Sequence, residues 1–118
     1  MLTIPPSVRV FLAVGITDMR KSFDGLSGLV RSTIGADPLS GHLFAFCNRR
    51  RDRLKVLYWD TSGFVLLHKR LERGTFSWPQ PDAATEGSVE LDARELGLLL
   101  SGLDLATTRR RRWFERRA

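Results

Sequence analysis

Two histidines, His42 and His68, and one cysteine, Cys47, are the soft donor side chains of this sequence. A zinc site needs three or four such ligands at recognisable spacing, and these three are too few and too scattered to supply it. Cys47 and His68 fall on segments that read as neighbouring strands, so a thiol–imidazole nucleophile pair is formally open. A strand cysteine is more often a small buried apolar residue, and that is the reading adopted here. Asp18 and Asp24 are the acids near the first helix start, and Asp60 stands in a turn. A small nuclease would need carboxylates gathered around a metal. Asp18 and Asp24 read instead as helix caps, or as partners of Arg20 and Lys21. Gly25, Gly28 and Gly63 match no phosphate-cradling loop. The expectation is a chain without catalytic residues, metal or cofactor.

Arginine offers a different chemistry, because its planar guanidinium pairs with phosphate oxygens. The formal net charge is +6, and its placement says more than its size. Arg49 to Arg73 holds eight cations and three acids, and Arg109 to Ala118 holds six cations and one acid. Each block is +5, and the stretch between them, Asp82 to Asp104, is acidic. Segregation of this kind is the footprint of a polyanion-binding surface, where evenly mixed charge would be only a solvated one. The candidate phosphate contacts are Arg49, Arg50, Arg51, Arg53, Lys55 and Arg70, with Arg109, Arg110, Arg111 and Arg112 of the tail. Beside the tail arginines, Trp113 and Phe114 are able to stack on bases. DNA is preferred to RNA as the partner.

The elements that must position these residues follow from periodicity. SVRVFLAV (7–14) suits a strand. Thr17 and Asp18 then open an amphipathic helix over 18–34, with Met19, Phe23, Leu26, Leu29, Val30 and Ile34 on one face and Gly35 as its stop. Gly25 and Gly28 are tolerable there if the helix packs closely on a sheet. HLFAFCN (42–48), RLKVLYWD (53–60) and FVLLHKRL (64–71) form a meander, TFSWP (75–79) a short further strand, and QPDAATEG (80–87) a loop. SVEL leads into a helix capped by Asp92, with Leu96, Leu99, Leu100 and Leu103 on one face, ending near Asp104. The fold class is α+β: a mainly antiparallel sheet with a central meander, packed by one N-terminal and one C-terminal helix. Residues 1–106 make one domain, and 107–118 a basic, flexible tail.

Register within the hairpin decides which residues share a face. A three-residue loop would set Lys55 opposite Lys69, a repulsive pair. A four-residue loop, Asp60 to Gly63, sets Trp59 opposite Phe64 instead. Leu54, Val56, Tyr58, Val65 and Leu67 then form a core side. Arg53, Lys55, Leu57, Trp59, Phe64, Leu66, His68 and Arg70 form a mixed side, apolar near the turn and basic away from it. Leu57, Trp59, Phe64 and Leu66 are accordingly a candidate protein-binding patch, and the DMRKSF helix start is another.

The single cysteine excludes an internal disulfide framework. No apolar run reaches the roughly 20 residues of a membrane span, and MLTIPPSVRV lacks the parts of a secretory signal. A bacterial cytoplasmic location without membrane contact is expected.

TDMRKSFDGL (17–26), GHLFAF (41–46), DRLKVLYWD (52–60), GF (63–64) and KRLERGTFSWP (69–79), with the leucine-rich final helix, resemble one known family in its own order. This is the TnpB-type transposase accessory protein, encoded by the second open reading frame of bacterial insertion sequences of the sixty-six family. The resemblance covers about residues 4 to 104. It implies a non-catalytic protein that accompanies a separate, larger transposase, and it assigns no residue a role. Two functions stay open at this point: a nucleic-acid-binding accessory factor, or an adaptor that binds the element's transposase without contacting DNA.

Overall fold

The computed structural model describes Pro5, residues 7–79 and residues 87–101. Five strands form one sheet: β1 (Val10–Ala13), β2 (Leu43–Cys47), β3 (Arg53–Trp59), β4 (Phe64–Arg70) and β5 (Ser88–Leu91). Their spatial order is β4-β3-β2-β1-β5. β2, β3 and β4 form the expected antiparallel meander. β1 lies parallel to β2 and antiparallel to β5, so the sheet is mixed. A parallel pair needs a crossover of a dozen or more residues. Helix α1 (Phe23–Leu29), continued by a π-helical turn over Val30–Ile34, lies within that crossover. Helix α2 (Ala93–Leu100) follows β5.

Strand alternation splits the interior in two. Leu26 and Val30 pack on Phe44, Phe46 and Leu57 on the α1 face of the sheet. Leu96, Leu99 and Leu100 of α2, with Phe76 and Trp78, cover Val10, Leu12, Ala45, Leu54 and Val56 on the other. β2 is buried along its whole length because it carries apolar residues toward both layers. Burying Leu43, Phe44 and Phe46 contributes about 1.5–3 kcal/mol each relative to exposure.

The expected helix over 18–34 starts five residues late. Thr17 does not cap it: its N–H donates to the Cys47 carbonyl at 2.8 Å. The Met19 and Lys21 carbonyls, which a longer helix would use internally, accept from Lys55 Nζ instead at 2.9 and 2.8 Å. Gly35 does end the segment, in the left-handed conformation at φ 77°. Asp92 caps α2 in a reciprocal box with Glu95, as its position foretold. The segment 75–79 is not a strand. Its Phe76 N–H donates to the Arg51 carbonyl, and Trp78 Nε1 donates to the Ala13 carbonyl at 2.8 Å, so it serves as a buried strap. Close packing does not explain the α1 glycines: Gly25 sits against the Lys21 side chain, and Gly28 faces open space. The tail 107–118 with its arginines, most of the 80–87 loop and the end of the last helix lie outside the described residues.

Candidate nucleic-acid interface

The β2–β3 turn is built by one side chain. Asn48 Oδ1 accepts from the backbone of Asp52 and Arg53, each at 3.1 Å, while its amide donates to Asp52 Oδ1 at 2.8 Å. Arg51 N–H closes the turn on the Asn48 carbonyl at 3.1 Å. Arg49, Arg50 and Arg51 project from this frame, all exposed. None of the three forms an ion pair among the described residues. Asp52 is held below the usual carboxylate range, chiefly by the Asn48 amide and also by Arg50 and Arg53. Arg51 adopts φ 61°, the left-handed region that glycine or asparagine enters more cheaply.

The neighbouring surface comes from the hairpin. Trp59 pairs with Phe64, as the four-residue loop requires. Asp60 explains the loop: its Oδ1 accepts from Ser62 N–H at 3.1 Å and Gly63 N–H at 3.0 Å, and its own N–H meets the Gly63 carbonyl. That register carries Arg53 opposite Arg70 and Lys55 opposite His68, all on the α1 face and at the sheet end that bears the arginine turn. Arg53 is half-buried and Arg70 exposed. Arg70 reaches Glu72 at 3.2 Å, an exposed pair of small energetic weight. The His68 imidazole is pushed below its ordinary range by partial burial and then by Lys55, Arg53 and Arg70. Cations therefore outnumber the acids at this corner, where Asp52 and Glu72 stand among Arg49, Arg50, Arg51, Arg53 and Arg70. His68 was not among the sequence-based contacts, although its alternation with Arg70 on the mixed face was the signal for it.

Lys55 is a correction. It is 7 % exposed, where an exposed side chain was expected, and its ammonium is occupied by two loop carbonyls, so it pins the segment before α1. The apolar patch also shrinks. Leu57 is fully buried, and Phe64 and Leu66 pack against the α1-side core. Trp59 is half-buried and meets the Phe64 ring edge-on at 5.2 Å between centroids. On the opposite face Leu67, expected in the core, is 37 % exposed because it lies on the outermost strand. Ile16, at 60 %, and Phe23, at 43 %, are exposed apolar side chains that flank the pinned segment, and Leu39, at 46 %, is a third, in the α1–β2 loop.

The soft donors do not assemble. Cys47 and His68 lie on β2 and β4, with β3 between them, and face opposite sides of the sheet. Burial pushes the Cys47 thiol up to about 12. His42 Nδ1 accepts from the Arg9 N–H at 2.9 Å. Asp18 does pair with Arg20, at 2.7 Å, and its carboxyl is lowered to about 2 chiefly by that guanidinium. No group of three His, Cys, Asp or Glu among the described residues is placed to hold a metal ion. No helix among them is long and apolar enough to cross a membrane.

The family model of the IS66 Orf2-like proteins matches residues 8–110. The chain belongs to the IS66 Orf2-like family. Two similar proteins are both from Sinorhizobium fredii strain NBRC 101917 / NGR234: the uncharacterized protein y4hO is 41 % identical over 104 residues, covering 88 % of each chain. y4jC is 38 % identical over 104 residues, covering 88 % of this chain and 86 % of its own. No solved structure matches. Membership makes the chain an insertion-sequence-associated accessory protein, of a family not known for catalysis. It gives the IS66 Orf2-like chain a genetic setting and leaves its chemistry to the geometry above.

Proposed function

We propose that this protein assists insertion-sequence transposition as a non-catalytic DNA-binding factor, contacting phosphates through the Arg49–Arg51 turn and the adjoining Arg53, His68 and Arg70. The observation that carries the reading is the turn itself. Three consecutive exposed arginines are raised on an Asn48-built frame with no acid paired to any of them among the described residues. Keeping a left-handed arginine at position 51 costs about 1–2 kcal/mol relative to glycine, a cost that suits a side chain retained for contact. Arg109 to Arg112 extend the same chemistry in sequence. Contacts of this type position a protein on a duplex without reading its bases.

The test is fluorescence anisotropy of the full chain on element-end DNA, random duplex DNA and RNA of equal length, across a salt series. Log affinity should fall with log salt at about −0.9 per neutralised phosphate. Replacing Arg49, Arg50 and Arg51 together by Ala should weaken binding and flatten that slope. Unchanged binding removes the turn from the interface.

A second reading, an adaptor that binds the element's transposase, is favoured by exposed Ile16 and Phe23 beside the pinned loop. It predicts that Phe23→Ser abolishes capture of the transposase while the triple-arginine variant retains it.

A further inference from the structure

β4 is the outermost strand, with β3 on one side and no described strand on the other. Its pairing with β3 runs without a bulge from Trp59↔Phe64 to Arg53↔Arg70. The Leu71 N–H donates to the Asp52 carbonyl, and the Asp60 N–H to the Gly63 carbonyl. In an antiparallel ladder, hydrogen-bonded pairs alternate with non-bonded ones. Val65, Leu67 and Lys69 therefore direct their backbone groups toward β3, while Phe64, Leu66, His68 and Arg70 direct theirs outward. Exposed strands are usually blunted by proline, a bulge or a charge that guards the edge. β4 has no proline and no bulge. Its charges lie in the last two residues: Lys69 is turned aside, with Nζ held by the Leu100 carbonyl, and exposed Arg70 is paired with Glu72. The opposite edge, β5, is only four residues long.

From this we infer that the β4 edge pairs with the β4 edge of a second copy of the chain, antiparallel and centred on Leu67. This register is singled out by its own arithmetic. Centring on Leu67 sets Leu66 against His68 of the second copy and Phe64 against Arg70, so every outward group of both strands finds a partner, about eight hydrogen bonds in all. Moving the centre to Leu66 or His68 lowers that to about six. Charge agrees with the count. β4 is apolar in its first half, FVLL, and basic in its second, HKR. Antiparallel pairing lays each basic half on an apolar half, bringing Arg70 over the Phe64 ring and Lys69 beside Val65. Parallel pairing would align the basic halves and is repulsive. The two half-exposed Leu67 side chains meet at the twofold axis, as a self-complementary interface requires. The product is one continuous sheet of ten strands with both α1 layers on the same side.

Light scattering of the full chain should give twice 13.4 kDa at micromolar concentrations. Leu67→Lys, which places two ammonium groups together at the axis, should give a monomer with an unchanged circular dichroism spectrum. His68→Pro removes an outward N–H while sparing the β3 ladder and should do the same. Leu67→Cys should form an intermolecular disulfide on mild oxidation, since Leu67 faces its own copy in a non-hydrogen-bonded pair and Cys47 is buried. Val65→Cys, opposite Lys69 of the second copy, should cross-link poorly. A monomer at all concentrations up to about 1 mM overturns the inference, leaving the edge to another segment of the chain or to another protein. A dimer that ignores Leu67→Lys and does not cross-link through Leu67→Cys overturns it as well, because the copies then meet elsewhere.

Discussion

Arg53 on β3 stands directly opposite Arg70 on β4, so two guanidinium-bearing side chains share one face at the basic end of the hairpin. Like charges at such positions are destabilising. The sequence tolerates this pair one step from the arginine turn, where an acid in either place would have stabilised the sheet. Arg53→Thr should therefore raise stability in low salt by about 0.5 kcal/mol, a gain that shrinks as salt screens the repulsion. The same change should weaken DNA binding. Urea melts and anisotropy on one preparation give both readouts.

His68 carries the pH dependence of that corner. Its folded-state value lies below the ordinary 6.5, so the unfolded chain binds the proton more readily. Stability should rise with pH through this range and fall as pH drops below about 6.5, until the folded imidazole is itself protonated. A phosphate lodged among Arg53, His68 and Arg70 would reverse the shift. NMR titration of the His68 ring should show its midpoint rising when duplex DNA is added, and binding should strengthen between pH 7 and pH 6. His68→Gln should remove both effects.

Lys55 separates fold from binding. Lys55→Met keeps the buried stem and deletes the ammonium that bridges Met19 and Lys21 carbonyls. A loss of about 1–3 kcal/mol is expected, because two partly buried, charge-assisted hydrogen bonds are removed. The salt slope of DNA binding should not change. A flatter slope in a folded variant would return Lys55 to the interface.

Two glycines should respond in opposite directions. Gly87 has φ 74°, and a Cβ there would meet the Thr33 carbonyl oxygen at an impossible distance. Gly87→Ala should destabilise by more than about 2 kcal/mol through strain and clash together. Gly28 faces open space on α1, so Gly28→Ala should stabilise by about 1 kcal/mol. Thermal melts of the two variants check both.

What the sequence discloses depends on how local the cause is. The hairpin register follows from alternation and from Asp60, whose carboxylate organises a turn two and three residues ahead, so Trp59↔Phe64 is legible. The Asp92–Glu95 cap is legible for the same reason. Lys55 is not. Its type and neighbours speak for solvent, and its true partners lie 36 and 34 residues upstream. The late start of α1 has the same hidden cause, since those carbonyls are diverted from the helix. The arginine turn could be read as basic from composition alone. That His68 and Arg70 share a face with Arg53 follows from the hairpin register, whereas the Asn48 side chain that holds the turn in a fixed shape emerges only from the structure.

The place of β1 in the sheet bears on synthesis. Among the described strands β1 precedes the other four in the chain, yet it lies between β2 and β5, and its Val10↔Leu91 pairing waits for β5. A nascent chain that already has its meander still shows an unzipped β1 margin beside uncovered Leu12 and Ala45, because α2 is also yet to come. Closing so distant a pair is slow relative to forming a hairpin. The interval between translating Cys47 and translating Leu91 is thus the time when the chain is most open to misassociation, and fragments that stop before β5 should be recovered as aggregates.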